Sequence, residues 1–282
     1  MNTDPKATSG ANSAPTEVPV EHALLRALDL LRVTRRGPVV HLRLDRPAKR
    51  NAINDALIAQ IRTAFVNLPQ DARAVVVSGE GEHFCAGLDL SELSERGVAD
   101  GVLHSRAWHA AFDEVQFGRV PVVAVLHGAV VGGGLELAAS AHIRIAERSA
   151  YYALPEGSRG IFVGGGGSVR IPQLIGVARM TDMMLTGRVL DASEGHQAGV
   201  SQYLVDVGTG LERAFEIAAR MAGNAPLSNF AVMQALPRIA SLPPSDGLFV
   251  EALMAGIAGG DEAAKLRLRA FLEGRAGKVK PT

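Results

Sequence analysis

The sequence has little of several features that define common classes of protein. It contains a single cysteine, Cys85, so no disulfide can form within the chain, which favours a reducing compartment. Its 29 Lys and Arg residues balance its 29 Asp and Glu residues, so no net field attracts nucleic acid or an anionic membrane. Apolar runs end well short of the roughly 20 residues that a membrane-spanning helix needs. These absences argue against secreted disulfide-rich, nucleic-acid-binding and membrane proteins.

The N-terminal segment lacks a targeting pattern. Residues 1–20 are rich in Ser, Thr, Ala, Asn and Pro, without a basic stretch followed by an apolar one. We expect residues 1–30 to form a leader that is disordered or partly helical. Together with the single cysteine, this predicts a cytoplasmic location and no membrane or nucleic-acid partner.

The sequence does contain apolar strand patterns that alternate with amphipathic helix patterns. Buried strands are expected within "VVHLRLDRP", "RAVVVSGEG" and "VPVVAVLHG", and Asn54 is expected to cap a helix. Asp191 and Glu194 match a capping box. Helical periodicity then dominates the C-terminal part, over 209–222, 226–240, 246–257 and 261–273. The pattern predicts an α/β core over residues 31–205 and a helical region over 206–282.

The stretch "GGGLELAA" places three glycines, Gly132–Gly134, at the start of an apolar helix that contains Glu136. A helix N-terminus offers unpaired N–H groups, and glycine lets a ligand approach them closely. No dinucleotide-binding or P-loop pattern is present. Tight packing through glycine explains the glycines about equally well by itself. Glu136, one turn after Gly133, shifts the balance toward an oxyanion site with a carboxylate that can move protons.

Two other segments carry similar features. Glu156 follows Pro155 and precedes the run Gly164–Gly167, although a solvated loop carboxylate is the simpler interpretation of Glu156 alone. In "EHFCAGLDLSEL", Gly87 precedes Leu88 at the expected start of a helix. A second backbone N–H there could complete an oxyanion hole.

Five segments together resemble the crotonase (enoyl-CoA hydratase/isomerase) superfamily, in family order from about residue 31 to the C-terminus. They are "LDRPAKRNAI", "FCAGLDL", "HGAVVGGGLELAAS", "YALPEGSRGIFVGGGGSVRI" and "MLTGRVLDASEGHQAGV". The resemblance implies an α/β fold, a crotonase-like spiral of ββα units with a helical C-terminal trimerisation region. It also implies self-association as a homotrimer or as a dimer of trimers (a homohexamer).

The resemblance also implies a role for particular residues. Leu88 and Gly133 would form the oxyanion hole, and Glu136 and Glu156 would be catalytic. Contacts to coenzyme A (CoA) would come from Lys49, Arg50, Ala86, Asp89 and Leu90, although Lys49 and Arg50 alone look like ordinary solvated charges. The basic stretch over residues 271–280 also resembles one that can reach bound CoA. Because water is the co-substrate, no metal, nicotinamide or flavin cofactor is expected.

The expected activity is that of a hydro-lyase of fatty acid metabolism. Water would add across the 2,3 double bond of a 2-enoyl-CoA to give a 3-hydroxyacyl-CoA, with Glu136 activating water and Glu156 protonating C2. A Δ3,Δ2-enoyl-CoA isomerase, which needs one carboxylate near Glu156, and other CoA-thioester chemistries stay open. So does a non-catalytic CoA-thioester-binding or RNA-binding relative. Arg159 departs from the apolar residues of long-chain enzymes, so a polar acyl group is expected if Arg159 faces the pocket.

Overall fold

A computed structural model describes residues 16–92 and 97–275. Most of its strands belong to one large sheet in the order β1-β2-β3-β4-β5-β7-β10, and a smaller sheet has the order β6-β8-β9. The strands are β1 (Val18–Pro19), β2 (Leu31–Arg36), β3 (Val39–Leu44), β4 (Ala74–Gly79), β5 (Val122–Leu126), β6 (Ala129–Val131), β7 (Ile143–Glu147), β8 (Tyr151–Ala153), β9 (Leu190–Asp191) and β10 (Tyr203–Val205).

Helices connect and cover these strands. They are α1 (Ala23–Arg26), α2 (Asp55–Val66), α3 (Val98–Gln116), α4 (Gly133–Ser140), α5 (Gly167–Ile175), α6 (Val177–Thr186), α7 (Ala192–Ala198), α8 (Gly210–Ala222), α9 (Pro226–Phe230), α10 (Leu236–Ile239), α11 (Pro244–Gly260) and α12 (Glu262–Leu272). Short 3₁₀ turns cover Pro47–Lys49, Leu90–Glu92 and Gly157–Arg159, and a π-helical turn covers Ala231–Ala235. The predicted α/β class with helices at the C-terminal end is confirmed.

The central strands are buried on both faces, as parallel strands in α/β proteins are. Strands β3, β4, β5, β7 and β10 run parallel, whereas β1, β2 and β3 pair antiparallel. Val76 and Val123 point to the face that α8 covers through Phe215. Val75 and Val77, on the opposite face, pack into a larger core with residues of α2, α3 and α4. The segments that carry the expected site lie on this second side.

Side-chain caps define where two helices begin. The Asn54 carboxamide accepts a hydrogen bond from Leu57 N at 2.9 Å, so the predicted cap of α2 is confirmed. Asp191 and Glu194 form the predicted capping box at α7, each side chain accepting from the other residue's backbone N–H. The local sequence therefore determines both helix starts.

The two ends of the described chain differ in burial. Near the N-terminus, β1 pairs with β2, and Leu25 in α1 is buried. At the other end, α9 to α12 expose many large apolar side chains, among them Phe249 and Phe271. The predicted boundaries at residues 30 and 205, and the predicted trimerisation role, stay predictions. None of the helices in the ranges 16–92 and 97–275 has both the length and the apolar character to cross a membrane.

Candidate active site

Two backbone segments lie side by side through a short parallel pairing of Cys85 with Val130. Cys85 N donates to Ala129 O at 2.9 Å, and Val131 N donates to Cys85 O at 3.1 Å. The pairing brings the turn after Cys85 to the start of α4, so that a methyl group added at Gly133 would lie 3.7 Å from Leu88 N. Neither Leu88 N–H nor Gly133 N–H donates to another described residue. Two free donors therefore lie next to each other.

The glycines at this helix start make room for two side chains. Gly132 has φ +52°, and a methyl group there would lie 2.6 Å from Glu156 Oε1. A methyl group at Gly133 would lie 2.7 Å from Trp108 Cζ3. Contacts this short do not occur, so only glycine lets the carboxylate and the indole reach the backbone. Tight packing and access to the N–H groups thus occur at the same glycines.

Glu136 is held by backbone donors inside the protein. It is 3% exposed, and its Oε1 accepts hydrogen bonds from Gly165 N and Gly167 N, both at 2.8 Å. Burial raises the pKa of Glu136, while these two N–H groups oppose the rise because they stabilise the anion. The carboxylate is therefore fixed in place with part of its charge compensated.

Glu156 is buried without comparable support. It precedes the 3₁₀ turn Gly157–Arg159 and is 7% exposed. Its Oε2 is buried and has no hydrogen-bond partner among the described residues. Burial raises the pKa of Glu156, and the nearby charge of Glu136 adds to the rise. A backbone hydrogen bond within Glu156 and the charge of Arg159 oppose the rise, but the net effect is a pKa above the ordinary value of a glutamate.

All four residues proposed for catalysis line one cavity of about 330 Å³: Leu88, Gly133, Glu136 and Glu156. Most of the remaining wall is apolar, with Trp108, Ile161, Phe162 and Val163, and includes the polar residues His104 and Ser105. Phe112 lies behind Trp108, with ring centroids 5.7 Å apart, and belongs to the buried core. The cavity has the size and apolar lining of a small-molecule site.

A second, smaller cavity of about 280 Å³, here called the cationic groove, adjoins the first. It is lined by all five residues expected to contact CoA, Lys49, Arg50, Ala86, Asp89 and Leu90, together with Ala48, Ala52, Leu88, Ser91 and Arg159. Leu88 lines both cavities. Arg159 lines the groove and not the cavity that holds the two glutamates, so the condition for a polar acyl group is not met.

The side chain of Asp89 is committed within the protein. Its carboxylate forms an ion pair with Arg46 at 2.9 Å and accepts from Ser91 Oγ at 2.6 Å. The hydrogen bond from Ser91, followed by that from Arg46, lowers the pKa of Asp89. Asp89 therefore supports the turn beside Leu88 and stays ionised.

Two residues that donate hydrogen bonds to Glu136 were not predicted from the sequence to do so. Gly165 and Gly167 donate their N–H groups to its carboxylate, and a methyl group at Gly167 would lie 2.8 Å from Glu136 Cγ. The run Gly164–Gly167 was visible, but nothing in it indicated which carboxylate it meets. The signal that was available is the second glycine cluster itself, placed before an apolar helix.

Cys85 and His127, which lie near the site, have structural roles. Cys85 is fully buried, and burial raises the pKa of its thiol to about 12, so it stays protonated. In the turn after β5, the backbone carbonyl of His127 accepts a hydrogen bond from Phe84 N at 2.8 Å. Of the basic stretch 271–280, residues 276–280 lie outside the described residues.

Comparison with known proteins identifies the group to which the chain is related. A model of the enoyl-CoA hydratase/isomerase family matches residues 34–280. The chain belongs to this family. A solved structure of the family, provisionally described as an enoyl-CoA hydratase from Rhodopseudomonas palustris CGA009, is 59% identical with a TM-score of 0.85. The match covers 87% of this chain and 95% of that one.

Two curated relatives show how widely names differ within the family. The carnitinyl-CoA dehydratase of Salmonella heidelberg strain SL476 is 34% identical, over 77% of this chain and 84% of its own. The 2,3-dehydroadipyl-CoA hydratase of Escherichia coli strain K12 is 31% identical, over 86% of this chain and 95% of its own. The family is thus established, and its members differ in the reaction that their names state.

Proposed function

We propose that this protein is an enoyl-CoA hydratase that adds water across the 2,3 double bond of a 2-enoyl-CoA thioester. One observation carries the proposal: two buried glutamates, Glu136 and Glu156, face the same cavity as two unused backbone donors, Leu88 and Gly133. Hydration needs both kinds of group. A base and an acid handle the protons of water, and donors stabilise the charge that develops on the thioester oxygen.

In this mechanism the thioester oxygen accepts hydrogen bonds from Leu88 N–H and Gly133 N–H. Glu136 removes a proton from water, and the water oxygen forms its bond to C3. The electron pair of the double bond moves through C2 to give an enolate, whose oxygen the two N–H groups stabilise. Glu156 then donates its proton to C2, which completes the 3-hydroxyacyl product. A proton passed from Glu136 back to Glu156 restores the starting state.

The environments of the two glutamates support this division of roles. Glu136 receives two N–H donors, which favour its anion and suit a base. Glu156 has a buried oxygen without a described partner and a raised pKa caused first by burial, which suits an acid. An isomerase needs one carboxylate, and the hold on Glu136 beside the same cavity favours hydratase over that alternative.

We infer that the acyl group is uncharged. Trp108, Ile161, Phe162 and Val163 form most of the wall beyond the glutamates. Within the described ranges, no Lys or Arg lines this cavity. An acyl group with an anionic end would lose its hydration there without meeting a Lys or Arg side chain.

The test is to mix the purified protein with crotonyl-CoA and with longer and aromatic 2-enoyl-CoAs. We expect the conjugated enoyl-thioester absorbance to fall and the product to gain one water by mass. No loss of absorbance with any member of the panel would refute hydration. A 3-enoyl-CoA tested in parallel distinguishes the isomerase, which would instead create the conjugated absorbance.

A further inference from the structure

The cationic groove has more positive than negative charge available to a ligand. Lys49, Arg50 and Arg159 line it with exposed side chains. Its carboxylate, that of Asp89, is already paired with Arg46 at 2.9 Å. The groove therefore presents three cations with no free carboxylate among its described lining residues to balance them.

Arg159 reaches this groove from the turn that carries Glu156. Arg159 N donates to Glu156 O at 3.0 Å, which closes the turn. The same turn buries Glu156 in the cavity and exposes Arg159 at the groove. Among the described residues, no carboxylate forms an ion pair with Arg159 or with Arg50. An exposed guanidinium without an internal partner is free to bind a ligand.

The two cavities meet at a shared lining residue, an arrangement that fits one extended ligand. Leu88 lines both, and its N–H is one of the two donors proposed for the thioester oxygen. A thioester held there with its acyl chain in the apolar cavity would direct its sulfur side toward the groove. The sulfur side of an acyl-CoA leads through the pantetheine arm to the phosphates. Guanidinium groups bind phosphate oxygens through paired, charge-assisted hydrogen bonds.

We propose that Arg159 binds a phosphate group of CoA, together with Lys49 and Arg50. The inference rests on the proposed CoA-thioester function and adds a binding residue to it. One short turn then serves both ends of the substrate, Glu156 at the reacting carbons and Arg159 at the phosphates. Arg159, three residues after the proposed acid Glu156, therefore recognises the CoA part of the substrate and not its acyl chain.

Binding of CoA itself tests this without any turnover. Titration calorimetry would compare CoA with pantetheine, which lacks the phosphates, on the wild-type chain and on Arg159→Gln and Arg159→Lys. We expect Arg159→Gln to weaken CoA about tenfold and to leave pantetheine unchanged, and Arg159→Lys to lose less. Arg62→Gln, which removes an exposed cation from α2, is the matched control and should bind CoA as the wild type does.

Dephospho-CoA locates the contact. A tenfold loss that persists with dephospho-CoA assigns Arg159 to the diphosphate, and one that disappears assigns it to the 3′-phosphate. Unchanged CoA binding by Arg159→Gln, or equal weakening of CoA and pantetheine, would overturn the proposal. So would a loss of turnover without a loss of CoA affinity, since Arg159 would then act on Glu156. Binding of CoA that depends on Arg159 without hydration of any enoyl-CoA would refute only the hydratase function.

Discussion

Two walls of the cavity each carry a glutamate, and they differ in how many hydrogen-bond donors they offer to its carboxylate. On the α4 wall, Glu136 is held by two N–H groups from the loop that leads into α5. On the wall formed by the 3₁₀ turn, Glu156 is almost as deeply buried, yet its Oε2 has no described partner. Burial alone thus does not assign a role. The supply of donors separates a carboxylate suited to be a base from one suited to be an acid.

Removing either carboxylate should give the largest effect. We expect Glu136→Gln and Glu156→Gln each to lower kcat about 10²–10⁴-fold, with CoA binding retained, because each removes a proton-transfer group. Steady-state kinetics with the best substrate of the panel measures this. Glu251→Gln, an exposed change in α11, is the control. Near-normal hydration by Glu136→Gln would break the comparison between the walls, and double-bond migration in that variant would favour the isomerase.

A methyl group added at Gly133, where the start of α4 contacts Trp108, should lower activity somewhat less than loss of a carboxylate does. In Gly133→Ala, the new methyl group would lie 2.7 Å from Trp108 Cζ3, so either the indole or the helix start must shift. We expect kcat/KM to fall about 10²–10³-fold, as for the loss of an oxyanion donor. Gly256→Ala in α11, where a methyl group meets nothing within 4 Å, should leave kcat/KM unchanged. Full activity of Gly133→Ala would show that the site accommodates the methyl group without displacing this N–H, and the expected loss would be wrong.

The smallest expected effect is on stability and depends on pH. Burial raises the pKa of Glu156 in the folded state, so folding favours its protonated form. Stability from this group is complete below the unfolded pKa and is lost as pH rises through the folded pKa. Glutamine at this position stays neutral and avoids the loss. Glu156→Gln should therefore gain about 2 °C in Tm over the wild type between about pH 4 and about pH 7.

The same measurement on Glu136→Gln compares the pH-dependent gain in Tm at the two glutamates. Its gain in Tm with pH should be smaller, because Gly165 N–H and Gly167 N–H already stabilise the Glu136 anion. Thermal unfolding followed by circular dichroism at several pH values would show it. An equal or larger gain for Glu136→Gln would mean that the two N–H donors do not distinguish the glutamates.

Long apolar strands and capped helices were predictable from the sequence, whereas short or polar elements were not. Strands β3, β4 and β5 carry strong apolar patterns and lie where the pattern predicts. Strand β2, "LRVTRR", is largely polar, and β6, β8, β9 and β10 have two or three residues each. Segments this short carry too little periodicity, and their pairing partners decide that they are strands.

The sequence indicated four residues that line one cavity, but it indicated less about how they are held there. The sequence placed Glu136 one turn after Gly133, since the spacing along a helix is local. Gly165 and Gly167, which donate to Glu136, lie about 30 positions after it in the sequence. Arg159 lines a groove whose other residues lie far from it in the sequence. Such contacts leave no local pattern that would reveal them.

By itself, the sequence determined which residues can do chemistry and where helices and strands begin, because capping, periodicity and the spacing of Glu136 from Gly133 act over a few residues. The tertiary structure decided which groups meet. The pairing of Cys85 with Val130 brings Leu88 to Gly133, and packing around Glu156 removes it from water. Both results depend on contacts distant in sequence, and burial, which raises the pKa of both glutamates, exists only once those contacts have formed.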